Sequence, residues 1–204
     1  MTVIAIDGPA ASGKGTLARR LAAHYGLHHL DTGLLYRAVG LRAEEEGMDP
    51  VAAARAVTLA DLAAPALREE GAAQAASRVA VIPAVREALR GLQRRFAAEP
   101  PGAVLDGRDI GTIVFPEAQV KIFLDADPNE RVRRRSAETH EDQQAVAKEM
   151  AERDRRDRTR AEAPLIQAPD AEYLDSSTLT LEQVEEAVLK VVRAKTSNGK
   201  AMQS

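Results

Sequence analysis

The 204-residue chain contains no cysteine and no tryptophan, and aromatic residues make up only 3% of it. Without cysteine there is no disulfide framework and no zinc ribbon. Its four histidines, His24, His28, His29 and His140, match no metal-ligand spacing, so a structural metal is not expected. Without bulky aromatics, the core has to be built from Ala, Leu, Val and Ile. There is no run of about 20 apolar residues and no N-terminal signal pattern, which predicts a soluble, cytoplasmic protein without a membrane partner. The formal net charge of −3 provides no overall positive field to recruit nucleic acid. The length suits one domain spanning 1–204, with room for a small inserted subdomain.

What is present is an alternation of apolar runs and helical patterns. Strand-like runs fall at Val3 to Asp7, Ala103 to Asp106, Val120 to Leu124 and Glu172 to Leu174, with a short one at His28 to Leu30. This alternation predicts an α/β fold of the P-loop NTPase type, a parallel sheet flanked by helices, with ligands at the carboxyl ends of the strands. The run 194–204 is polar and without apolar period, and reads as a flexible tail. The linker 136–148 is likewise polar and featureless, which fits a mobile lid.

Directly after the first run stands GPAASGKGT, comprising Gly8, Pro9, Ala10, Ala11, Ser12, Gly13, Lys14, Gly15 and Thr16. Gly8 and Gly13 let the backbone curl so that N–H groups converge on phosphate oxygens. Lys14 suits the β- and γ-phosphates, and the Thr16 hydroxyl suits phosphate or a Mg²⁺ shell. A helix beginning here aims its positive end at the anion. A chance Gly-rich turn fits poorly with a strand before the motif and a helix after it. The bound ligand is expected to be a nucleoside triphosphate.

At the end of the third apolar run, Asp106 stands where such folds place an acid near Mg²⁺, directly or through water; the plainer reading is a turn aspartate before Gly107. Later, arginines crowd two helical segments: Arg131, Arg133, Arg134 and Arg135, then Arg153, Arg155, Arg156, Arg158 and Arg160. Many have a glutamate four residues away, which fits a solvated helix laced with ion pairs. Arg153, Asp157 and Arg160, however, share one helix face, where two guanidiniums flank a carboxylate. That arrangement suits a phosphorylated sugar. Binding to a nucleic-acid backbone competes with this reading, but residues for base stacking are scarce.

Taken in order, the motifs GPAASGKGT, LDTGLLYR, AASRVAVIPAVREAL, LDGRDIGTIVFP, VKIFLDAD and ERDRRDRTRAEAPL resemble the bacterial cytidylate kinase family from Thr2 to about Ala187. The resemblance implies transfer of the γ-phosphoryl of ATP to CMP or dCMP with Mg²⁺. It also implies a monophosphate-binding region at about 32–100 and a lid at about 129–160. Lys14, Arg131, Arg135 and Arg160 are then catalytic, with Arg134 also in the lid. Tyr36, Arg37, Arg108 and Arg160 bind the acceptor phosphate, Thr32 also binds substrate, Ser77, Arg86 and Asp109 read the cytosine, and Arg153 with Asp157 hold the ribose. Thr16 and Asp106 serve the metal, and the protein is expected to be a monomer.

The base-reading set also makes chemical sense. Cytosine offers an amino donor with N3 and O2 acceptors, matched by Asp109 as acceptor and by Arg86 and Ser77 as donors. Family members often carry a longer, strand-bearing insert before the base-reading helix. Here Pro50 to Gly71 is short and Ala-rich, which predicts a trimmed monophosphate-binding segment. Two other readings stay open. One is a kinase for another acceptor such as UMP, AMP or dTMP, or for a hydroxyl acceptor served by Asp31 as base. The other is a nucleotide-binding regulator, although the Asn-Lys-x-Asp guanine motif is absent.

Overall fold

The computed structural model describes residues 2–197. Its centre is a five-stranded sheet in which every pairing is parallel, in the order β2-β3-β1-β4-β5. The strands are β1 (Thr2–Asp7), β2 (His28–Asp31), β3 (Gly102–Gly107), β4 (Val120–Asp125) and β5 (Glu172–Asp175). All five apolar runs of the sequence are strands. The nearly continuous hydrophobicity of β1, β3 and β4 follows from burial on both faces, whereas β2 and β5, at the sheet edges, are more polar and more exposed.

Side chains alternate between those faces. Ile4 and Ile6 of β1, Val104 of β3, and Ile122 and Leu124 of β4 pack with α1 (Lys14–Tyr25) and α8 (Leu181–Ser197) through Leu17, Leu21, Val184 and Val188. Ala5 and Leu105 face the other way, onto Leu35, Val39, Val85 and Leu89 of α2 (Thr32–Glu45) and α5 (Pro83–Ala97). The register brings the ends of three neighbouring strands to one level, pairing Asp31 with Asp106 and Asp7 with Gly107. Acidic strand ends therefore line up beside the Gly-rich loop.

Between α2 and α5 the chain forms α3 (Pro50–Ala56), two short 3-10 turns at Leu59–Ala63 and Pro65–Arg68, and α4 (Glu70–Val79). No strand occurs there, as the absence of alternation predicted. The alanines of α4 allow close packing against α2. A β-carbon on Gly40 would come within 2.6–2.8 Å of Ala75 and Ala76, two of them backbone atoms. Gly40→Ala must therefore push α2 and α4 apart, and it is expected to destabilise the protein by ~1–3 kcal/mol, read as a lower denaturation midpoint. An unchanged midpoint would show that the two helices separate freely.

Two expectations need correction. The stretch 136–148 is not an irregular linker: α6 (Pro128–Thr139) and α7 (Gln143–Thr159) leave only three residues between them. Asp127 caps α6 through the amides of Asn129 and Glu130, Asp142 caps α7 through those of Gln144 and Ala145, and His140 closes α6 with φ 60°. Helical segments around the two arginine groups were legible, but how far they run toward each other was not, because this hairpin is mostly solvated. In α6 only Arg131 is buried, so no apolar stripe marks it. The tail read at 194–204 begins too early, since α8 continues through Ser197, anchored by buried Val188 and Val192. The rest of that expectation, at 198–204, lies outside the described residues.

Candidate active site

The carboxyl ends of β1, β2 and β3 open into a cavity of about 440 Å³ that is also lined by α4, α5 and α7. Nine cationic side chains border it, Lys14, Arg19, Arg37, Arg68, Arg86, Arg108, Arg135, Arg153 and Arg160, against five carboxylates. A protein of net negative charge thus concentrates positive charge in one cleft, which selects for anionic ligands.

At one end lies the Gly-rich loop. Gly8 has φ 154°, and a β-carbon there would lie 2.0 Å from the Leu124 carbonyl oxygen, so the loop leaves β1 pressed against β4. Its carbonyls are engaged by protein. Lys14 Nζ donates to Pro9 O at 3.1 Å, Arg131 to Ala10 O at 3.2 Å and Ser176 Oγ to Ser12 O at 3.2 Å. The loop N–H groups are what remains to face an anion. Half-buried Lys14 has its ammonium pKa lowered to about 7, first by burial and then by the charge of Arg108. An arriving polyphosphate reverses that shift.

Asp106, 3% exposed, lies beside the start of α1, its Oδ1 3.7 Å from the position of a β-carbon on Gly15. Burial pushes its carboxyl pKa up, and a hydrogen bond with His29 works against that. Thr16 Oγ accepts from Arg19 at 3.2 Å. Among the described residues no group of three or more His, Cys, Asp or Glu side chains forms a metal cage. The donor set fits Mg²⁺ bound in the way typical of phosphate sites, by one carboxylate and a hydroxyl together with substrate oxygens and water.

The remaining candidates line the rest of the cavity. Arg86 donates to Asp109 at 2.5 Å and to Ala80 O at 3.2 Å, and its guanidinium lies over the Tyr36 ring at 5.5 Å. Burial raises the Tyr36 phenol to about 12, keeping it neutral. Ser77 Oγ, Arg86 Nε and one terminal nitrogen of Arg160 are buried without a partner among the described residues. Three orphaned polar atoms around one cavity indicate groups awaiting a ligand. Arg108 Nε donates to Asp157 at 2.9 Å, and Arg160 lies 3.6 Å from its other oxygen. Burial opposes ionisation of Asp157, but the charges of Arg108, Arg153 and Arg160 outweigh it and hold its pKa below the usual carboxylate range.

The structure therefore brings Thr32, Tyr36, Arg37, Ser77, Arg86, Arg108, Asp109, Arg153, Asp157 and Arg160 to one cavity with Lys14 and Arg135. Arg131 is not on its wall. It is 3% exposed and bridges Ala10 O to Asp154 at 2.6 Å, so it braces the loop against α7. Arg134 is held by Glu130 and Ser176. Asp31, the spare carboxylate, caps α2 through the Gly33 amide at 2.9 Å.

Sequence reading missed Arg68, on the turn that closes the Ala-rich segment, and Asp7. Both oxygens of Asp7 accept backbone amides, from Ile110 at 2.8 Å and Gly111 at 2.7 Å, fixing the loop that carries Arg108 and Asp109. Burial raises its pKa to about 7, against the pull of those amides. The signal was present, because Asp7 ends an apolar strand just as Asp106 does.

The family model described as cytidylate kinase matches residues 4–66 and 60–194, two stretches that meet in the Ala-rich segment. A cytidylate kinase of Paramagnetospirillum magneticum is 54% identical, covering 95% of this chain and 99% of that protein. Cytidylate kinases of Rhodopseudomonas palustris and Cereibacter sphaeroides are 52% and 51% identical, over 94% and 97% of this chain and 96% and 98% of theirs. Among solved structures, a Eubacterium ventriosum protein aligns over 95% of this chain and 99% of its own with TM-score 0.61 at 14% identity. A Thermus thermophilus protein aligns over 95% and 97% with TM-score 0.53 at 24% identity. These two share the fold. On the strength of the family match and the close relatives, the chain belongs to the cytidylate kinase family.

Proposed function

We propose that this protein is a kinase that transfers the γ-phosphoryl group of ATP to CMP or dCMP, giving ADP and CDP or dCDP, as a Mg²⁺-dependent monomer in the cytoplasm. The observation that carries the acceptor is the buried trio Ser77, Arg86 and Asp109 on the wall of the cavity. A carboxylate oxygen, an unpartnered hydroxyl and an unpartnered guanidinium N–H match the donor and acceptor pattern of cytosine. Arg135 and Arg153 of α6 and α7 line this cavity, and Arg131, Arg133 and Arg134 pair with nearby carboxylates, which supports a small-molecule substrate over nucleic acid.

The acceptor brings its own nucleophile. A nucleotide phosphate has a second pKa near 6 and is largely ionised at neutral pH, so no general base is required. The work left to the protein is to hold two polyanions in line, away from water, and to spread the negative charge of the transferring group. Arg37, Arg108 and Arg160, with Thr32 and Tyr36 beside them, hold the acceptor phosphate, while Arg153 and Asp157 orient the ribose. Lys14 and the loop amides hold the donor phosphates, and Arg135 reaches the transferred group from the lid, residues 129–160. Arg131 sets the loop against that lid. Thr16 and Asp106, directly or through water, would hold Mg²⁺, which would supply charge neutralisation at the donor phosphates.

The test is ADP release from Mg²⁺-ATP by the purified protein with CMP, dCMP, UMP, AMP and dTMP in parallel. CMP and dCMP are expected to lead. No stimulation by any monophosphate would reduce the protein to a nucleotide binder.

A further inference from the structure

We propose that His29 is a positioning residue for the metal-bearing end of the site: its ring aims the Asp106 carboxylate at the cation that accompanies ATP. The proposal rests on the reading of Asp106 as a metal residue. It starts from strand register. His29 of β2 lies opposite Val104 of β3, and Asp31 opposite Asp106, so His29 and Asp106 are diagonal neighbours on one face of the sheet. That face is the one covered by α1, whose first turn carries Thr16.

The contact uses one carboxylate oxygen only. His29 Nε2 lies 2.9 Å from Asp106 Oδ2; an ionised Asp106 can only accept, so the tautomer with its proton on Nε2 is the one that makes this bond. The remaining oxygen, Oδ1, is the one near Gly15. The Asp106 side chain is 4% exposed and that of His29 20%, so water competes little for the bond. Lys14, the cation expected beside Asp106, instead donates to Pro9 O. Without His29, the carboxylate would be free to rotate toward Lys14 or to withdraw Oδ1 from the cleft. Outer partners that fix a metal-binding carboxylate typically govern 10–100-fold in metal affinity.

The readout is the factor by which Mg²⁺ or Mn²⁺ tightens binding of a non-hydrolysable ATP analogue, measured by titration calorimetry with and without metal. His29→Leu keeps bulk but removes the donor, His29→Asn is polar but too short, and His29→Gln restores a donor at the reach of Nε2. Leu and Asn are expected to reduce the metal-dependent factor roughly tenfold, with metal-free affinity unchanged, and Gln is expected to restore most of it. Asp106→Asn is the reference. If it lowers the factor while Leu and Asn do not, or if Gln fails as badly as Leu, the role of His29 is refuted. If Asp106→Asn leaves the factor unchanged, the metal reading of Asp106 falls and takes the proposal with it. A lower melting temperature in His29→Asn with an unchanged metal factor would assign the pair to stability alone, and a failure of His29→Leu to fold leaves Asn and Gln to decide.

Discussion

Lys14→Ala is expected to lower turnover with ATP and CMP at least ~10²-fold, and Arg160→Ala to do the same, the size found for removing one preorganised charge at a reacting centre. The two losses differ in origin. Arg160 is already set in place by Asp157 and by the Ala163 carbonyl, accepting at 2.6 Å, so its removal costs charge at a prebuilt position. Lys14 is held in a state that only the ligand relieves. Its pKa of about 7 in the free protein means that most molecules carry a neutral Lys14 amine at pH 8. A bound triphosphate favours the ammonium, so the folded, liganded pKa is the higher of the two. ATP binding at pH 8 is therefore expected to take up close to one proton, and affinity is expected to weaken as pH rises above about 7. Calorimetry in two buffers of different ionisation enthalpy measures this uptake. The γ-phosphate is already ionised at that pH and contributes little. Lys14→Ala should bind without the uptake; equal uptake in the variant would assign the proton elsewhere, and near-normal turnover would remove Lys14 from the catalytic set.

Asp109→Asn is expected to erase the preference for cytosine over uracil. In the wild-type site, Asp109 Oδ2 takes the hydrogen bond from Arg86 and Oδ1 is left for the exocyclic amine. Uracil would set a carbonyl against that oxygen, and a buried acceptor left unpaired costs about 1–3 kcal/mol, tenfold or more in kcat/KM. Asparagine can keep an oxygen toward Arg86 and turn its NH₂ to the base, which favours the uracil carbonyl. The ratio of kcat/KM for CMP over UMP should fall toward or below one. A ratio unchanged in the variant would place base recognition elsewhere. Asparagine is chosen over alanine because Arg86 is only 4% exposed, and an uncompensated buried guanidinium would cost about 3–5 kcal/mol in stability, obscuring the kinetics.

Much of this architecture was legible because its signals are local. Five apolar runs became five strands, and GPAASGKGT fell between β1 and α1. Both depend on neighbouring residues: two-residue alternation, glycine at a loop and a helix start just beyond. The resemblance carried most of the substrate-facing residues, and the cavity gathers them from four separated segments.

The full extent of α6 and α7, beyond the helical segments around their arginines, was illegible for the opposite reason. The two helices are stabilised by the caps Asp127 and Asp142 and by polar contacts such as Arg131 with Asp154, none of which leaves an apolar period in the sequence. Composition, spacing and order of motifs by themselves determined the layered fold, the phosphate loop and the class of chemistry. Only the tertiary structure decided that Arg131 braces the loop from outside the cavity, that Asp7 holds the amides of Ile110 and Gly111, and that His29 meets Asp106. These partners are 77 to 121 residues apart along the chain. They meet because parallel strands joined by long crossovers bring their carboxyl ends to one edge of the sheet, a proximity set by register and packing that no local pattern encodes.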